Sequence, residues 1–259
     1  MNEKIKNFLK ETEFCDFSHP TIQKFAHKIT ENCTNNREKA VSLFYWVRDN
    51  ILYRVGLWQR KASETLIEKE GACTNKTNLL VALLRANNIP AGYGIMKVHG
   101  QRYFGPIAMP MLKKFAGEMS THVYAMVNLN NKWIKCDPSD DRELSENTFY
   151  LNPPSKLVEW DGFQDAMLNL NKEHVLKNDY PIANIDPWMV KKPRRAKGIP
   201  LKVANLFVKF LRENKQKVNN IKDIEALFKE WMKVNYPLYF YSFSILSLWK
   251  NIKSKFQEE

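Results

Sequence analysis

A chain of 259 residues with 44% hydrophobic and 26% charged side chains can bury a sizeable core, which excludes an intrinsically disordered protein. Lys and Arg number 40 against 28 Asp and Glu, a formal net charge of +12. The excess is uneven: residues 191–259 carry 16 Lys/Arg against 6 Asp/Glu, whereas residues 1–190 are nearly balanced. The Pro- and Gly-punctuated stretch KKPRRAKGIP (191–200) reads as a connector. The expected organisation is therefore a body over 1–190 and a basic, aromatic helical extension over 191–259. Cys15, Cys33, Cys73 and Cys136 are too few and too scattered for a disulfide scaffold, and no C-x-x-C pair suggests zinc. The amino-terminal residues lack a signal-peptide h-region, and no apolar run has the length of a spanning helix, so a cytoplasmic location is expected.

In chain order, residues 20–32 read as a short helix opening at Pro20, where a missing N–H costs nothing. Asn35 and Glu38 have capping-box spacing. Ala40, Leu43, Phe44, Val47 and Ile51 follow at helical spacing, which predicts an amphipathic helix over 36–51. Gly71-Ala72-Cys73 then opens a second apolar-periodic helix with Leu79, Leu80, Leu83 and Leu84, stopped by Asn87-Asn88 and Pro90. His99 is expected in a glycine-flanked loop. Residues 101–120, with their Gly, Pro and Met content, are expected to form a substrate-contacting loop or an ordinary insertion.

Beyond that loop the period changes to two. HVYAMVN (122–128) and KWIKCD (132–137) alternate, joined by Leu129-Asn130-Asn131. Asparagine tolerates the positive φ of a tight hairpin. With Asn130-Asn131 as a two-residue turn, Tyr124 faces Asp137, and His122 is the diagonal neighbour of Asp137 on the same sheet face. A one-residue slip would separate them. The same alternation turns Cys136 into the core.

Those positions suggest nucleophilic chemistry. Cys73 opens a predicted helix, whose dipole favours a thiolate, and Gly71 allows close backbone approach. His122 can move a proton, and Asp137 can hold its imidazole in one tautomer. The Cys73 backbone N–H would face a developing oxyanion. Cys15 and Cys33 show no partners and read as inert, and His19, before Pro20, reads as a cap.

The residues also carry a resemblance. EGACTNKTNLLVALLRANNIPAGYG (70–94) is similar to the nucleophile helix of the transglutaminase-like superfamily. THVYAMVNLNNKWIKCDPSDD (121–141) resembles its His strand and its Trp-x-x-x-Asp-Pro strand. REKAVSLFYWVRDNILYR (37–54) and WDGFQDAM (160–167) resemble flanking segments. The resemblance covers roughly residues 18–170. It implies an α+β fold of papain/transglutaminase type, with a nucleophile helix packed on an antiparallel sheet. It also implies a triad of Cys73, His122 and Asp137, and acyl transfer through a thioester on Cys73. The acceptor would be an amine, as in amide-bond formation, or water, as in a protease or amidase. Papain-like enzymes take a second oxyanion donor from a side chain upstream of the cysteine, for which Trp58 and Gln59 are the candidates. The acidic loop DPSDDRELSE (137–146) lacks EF-hand spacing, so neither metal nor cofactor is expected.

The extension contains two amphipathic segments, 201–218 and 221–234, the second with Ile221, Ile224, Leu227, Phe228 and Trp231 on one face. The aromatic, uncharged LYFYSFSILSLW (238–249) follows Pro237. Packing on the body or on a second copy, peripheral membrane contact, and docking of an acidic carrier protein are the open readings, the last consistent with a carrier-bound acyl donor. No nucleic-acid-binding motif is present. The competing reading of the whole chain is a non-catalytic scaffold that works through this extension.

Overall fold

The computed structural model describes residues 3–103, 112, 117–146, 157–168, 172–191, 198–214 and 221–255. Helix α1 (Pro20–Thr30) begins where Pro20 allows it, with His19 as the cap accepting from the Thr21 N–H. Helix α2 (Asn36–Asn50) is capped by Asn35 Oδ1, which accepts from the Glu38 N–H at 3.0 Å. The Glu38 carboxylate reaches back one residue further than a regular capping box, to the N–H and hydroxyl of Thr34. The short α3 (Ala62–Glu68) follows, and α4 (Cys73–Ala86) begins at the cysteine itself. Two short strands, β1 (Leu52–Tyr53) and β2 (Glu70–Gly71), pair in parallel just before α4.

The main sheet contains β3 (Ala91–His99), β4 (Met119–Leu129), β5 (Lys132–Cys136) and β6 (Val175–Ile182), in the order β5-β4-β3-β6 with antiparallel neighbours. Helix α4 lies against β4, and α1 and α2 pack on α4. Between helices and sheet sits one core, which includes Phe44, Leu80, Leu83, Val123, Val127, Ile134, Cys136 and Trp160. The opposite sheet face is covered too: Met96, Val98, Tyr124 and Met126 form a second cluster with Trp133 and Met167. This is a papain/transglutaminase-like α+β fold with a helical carboxy-terminal region.

The hairpin has the register read from the sequence. Leu129 pairs with Lys132 and Ala125 with Cys136, and Asn130 and Asn131 take φ of 51° and 64° in the connecting turn. Both strands differ in extent from expectation. β4 starts at Met119, so His122 is its fourth residue rather than its first, and β5 ends at Cys136. Asp137 lies one residue beyond, where its N–H donates to Ala166 O at 2.9 Å. The segment 160–167 thus extends the pairing of β5, with Ala166 N–H returning to Lys135 O.

His99 is the last residue of β3, not a loop residue. Gly92 and Gly94 disguise this strand, because glycine has little strand preference. Here the rings of Phe8 and Tyr124 occupy the space where their side chains would stand. β6 is a half-exposed edge strand containing Pro181, a residue tolerated at a sheet edge. Residues 104–111 and 113–116, most of the expected 101–120 loop, lie outside the described residues, as do 192–197 of the connector.

Helices α5 (Ile199–Glu213), α6 (Ile221–Asn235) and α7 (Pro237–Lys255) make up the carboxy-terminal region. Val203, Phe207, Phe210, Ile224, Phe228, Met232 and Phe243 form its own core, joined by Leu144 and Tyr53 of the body. No helix among the described residues is long and apolar enough to cross a membrane.

Gly94→Ala tests the aromatic cover of β3. A Cβ there would stand 2.0 to 2.5 Å from the Tyr124 ring, whose hydroxyl donates to Asn178 Oδ1. Moving the ring should cost about 1–3 kcal/mol, read as a lower urea midpoint; an unchanged midpoint would contradict the packing described.

Candidate active site

The run Thr74-Asn75-Lys76-Thr77-Asn78 directly follows Cys73, and all five residues are buried. A polar helical turn is normally a solvated one, and buried polar groups need partners. Four of these side chains supply hydrogen bonds to neighbouring elements. Asn75 accepts from the Ala72 N–H at 2.9 Å and donates to Trp58 O at 3.1 Å. Lys76 Nζ donates to Arg48 O and Ile51 O at the end of α2, at 3.1 and 2.6 Å. Thr77 donates to Val123 O, and Asn78 donates to Phe14 O while accepting from Tyr93. The first turns of α4 are thereby bonded to α2, to the loop before α3 and to β4, beside His122.

Cys73 itself is only partly buried. Asp137 is fully buried and His122 nearly so. His122 Nε2 and Asp137 Oδ2 are 2.6 Å apart. Asp137 Oδ1 accepts from the Ser139 N–H at 3.1 Å and from its hydroxyl at 2.5 Å, so both carboxylate oxygens are fixed. The other imidazole nitrogen, Nδ1, is left for the hydrogen bond between His122 and Cys73.

The charges in this group reinforce one another. Burial pushes the Cys73 thiol up, but the hydrogen bond from His122, its charge and the Val123 N–H outweigh it, and the thiol is held below its ordinary value. Burial alone would lower His122; the Asp137 charge and hydrogen bond, with Cys73 on the other side, raise it well above the usual histidine range. These directions together describe a thiolate–imidazolium pair backed by a carboxylate. The Cys73 N–H belongs to the first helical turn, whose amides lack intrahelical partners. It is a donor suited to an oxyanion, and the helix dipole adds to it.

The upstream candidates fare differently. The Gln59 amide donates to Met189 O and Val190 O at 3.1 Å each, so its N–H groups are already engaged. For Trp58, the backbone carbonyl is the group tied to α4, through Asn75. Cys15 is not isolated: Arg85 lies 3.8 Å from its sulfur, and burial raises its thiol. Cys136 is fully buried in the core, and burial raises it well above the thiol range.

The pattern gave no sign of Asp140 and Asp141. Asp141 is buried and accepts from the Tyr53 and Leu144 N–H groups and from the guanidinium of Arg212 on α5. Burial raises this carboxyl, but Arg212 holds it below the usual carboxylate range. Asp140 lies between Asp137 and Asp141 in the chain. Burial, then the Asp137 charge, push it up to about 6. Tyr53 lies within electrostatic reach of both Cys73 and Asp140. Among the described residues, no three His, Cys, Asp or Glu side chains are grouped to hold a metal ion.

The sequence model of the transglutaminase-like superfamily matches residues 23–138, which span Cys73, His122 and Asp137. That match concerns residues 23–138, somewhat under half of the chain. No match was found among curated proteins. Among solved structures, a protein from Cytophaga hutchinsonii with a provisional cysteine-protease assignment is similar at 23% identity and a TM-score of 0.43. The match covers 53% of this chain and 43% of that one. A protein from Parabacteroides distasonis, provisionally a protease, is similar at 15% identity and a TM-score of 0.36. It too matches 53% of this chain, which spans about a quarter of its length (26%).

Lys76 gives a pH test. Burial pushes its ammonium down to about 8, whereas an unfolded lysine titrates near ~10.4. Between those values the unfolded chain holds a proton that the folded chain lacks, so this group makes stability rise with pH. Wild type should therefore gain on Lys76→Met from pH 8 to about 10.4 in urea unfolding. A flat difference would contradict the burial of this ammonium.

Proposed function

We propose that the protein is a cysteine acyl-transfer enzyme that forms a thioester on Cys73 from an amide or thioester donor and passes the acyl group to an amine or to water. One observation carries the reading. A partly open thiol at a helix start shares a hydrogen bond with His122, whose second nitrogen is 2.6 Å from a buried carboxylate with its other oxygen already bonded.

In this reading the Cys73 thiolate attacks the donor carbonyl, and a carbon–sulfur bond forms. The negative charge moves to the carbonyl oxygen, where the Cys73 N–H can receive it. Protonated His122 gives its Nδ1 proton to the leaving amine or thiol as the acyl bond breaks. The neutral imidazole then takes a proton from the incoming amine or water, which attacks the thioester and restores the thiolate. Asp137 keeps Nε2 engaged throughout, so the ring presents Nδ1 at each proton transfer.

Hydrolysis and aminolysis share every step up to the acyl-enzyme.

The test is intact-protein mass spectrometry after exposure to a panel of glutamine-containing peptides and acyl thioesters. An acyl adduct should form on Cys73, be absent in Cys73→Ala and be released by a primary amine or by water. His122→Ala should slow its formation by about 10²–10⁴-fold. Turnover retained in Cys73→Ala, or an adduct on another cysteine, would overturn the proposal.

A further inference from the structure

Helix α7 has two apolar sides. Phe243 and Phe240 face inward and join the core formed with α5 and α6. Leu238, Tyr241, Ile245 and Leu248 recur at steps of three and four, which places them on one outward face. Their exposures are 75%, 55%, 66% and 63%. Val234, near the end of α6, is a further apolar side chain at 78% exposure. A contiguous apolar stripe of this length on a folded chain marks a contact surface.

Charge identifies what that surface meets. No Asp or Glu occurs between Trp231 and Gln257, whereas Lys233, Lys250, Lys253 and Lys255 do. Exposed Lys202 on α5 reaches the Tyr239 hydroxyl at 3.2 Å and adds positive charge beside α7, while Lys209, 2.8 Å from the Tyr236 hydroxyl, is paired with Glu213 at 3.6 Å. A second copy of the chain would bring lysines against lysines, which disfavours self-pairing of the stripe. Aliphatic side chains and a tyrosine on one face, with lysines at both ends, fit a surface that is apolar below and anionic above. The helix is not apolar enough to cross a bilayer, which leaves it lying in the interface plane.

We infer that the outward face of α7 is a docking surface for an anionic lipid leaflet, with Leu238, Tyr241, Ile245 and Leu248 entering the acyl boundary and the basic charge of this region, Lys202 and Lys233 among it, attracting the headgroups. The consequence for the body is direct. Arg212 on α5 bonds Asp141 and Tyr53 O, so the helices that would lie on the leaflet are joined to the loop that follows Asp137.

Vesicle co-sedimentation of the full chain tests this. The protein should pellet with phosphatidylcholine vesicles that contain phosphatidylserine, and stay in the supernatant with phosphatidylcholine alone. Added salt should weaken the binding. Ile245→Glu combined with Leu248→Glu should reduce partition roughly tenfold or more, with an unchanged circular dichroism spectrum, because both side chains are exposed. Four results would overturn the inference. The wild type could remain soluble with anionic vesicles at low salt, or the double variant could bind as well as wild type. Light scattering without lipid could show a dimer that the double variant abolishes, which would assign the stripe to a second copy. Salt-sensitive capture by an acidic carrier protein, without vesicle binding, would likewise assign it to a protein partner.

Discussion

The two-residue turn at Asn130-Asn131 sets the geometry on which the site depends. With both residues at positive φ, β4 and β5 can pair in only one register, and that register puts His122 and Asp137 on one face. A slip of one residue would put His122 and Asp137 on opposite faces of the sheet. The hydrogen bond at 2.6 Å is thus a consequence of turn chemistry and register. The backbone bond from Asp137 to Ala166 holds the carboxylate where the strand has ended.

The thiol must meet that pair, and α4 is placed for it by polar groups rather than by apolar packing alone. Asn75, Lys76, Thr77 and Asn78 each donate to a carbonyl on a different part of the fold. Such a network is costly when incomplete and orienting when complete. The Thr77 bond to Val123 O ties α4 to the residue after His122, so thiol and imidazole are located by the same strand. The rigidity this gives suits the proposed thiolate, which would last only while the imidazolium stays close.

The local elements around the site were legible in the sequence. Pro20, the Asn35–Glu38 cap, the leucine period of α4 and the alternation of 122–136 each carry a local physical signal, and all four appear in the structure. β3 and β6 were not legible. Gly92 and Gly94 remove the side chains by which a strand is recognised, and their role depends on rings supplied by Phe8 and Tyr124. In β6, Lys177, Asn178, Asp179 and Pro181 interrupt the alternation because the strand lies at an edge. The burial of residues 74–78 was hidden for a different reason. Polar residues announce exposure unless their tertiary partners are known, and the bond from Asp141 to Arg212 joins residues far apart in the chain.

The proposed chemistry requires Cys73 to be a thiolate because His122 is beside it. The direct measurement is the pH dependence of Cys73 alkylation, resolved by peptide mass spectrometry, in wild type and in His122→Ala. An unperturbed thiol titrates near ~8.5, and a histidine-paired one can fall to about 3–4. The account predicts rapid labelling of wild-type Cys73 at mildly acidic pH, lost when His122 is removed. Labelling that rises only near the unperturbed value, and is indifferent to His122, would contradict it.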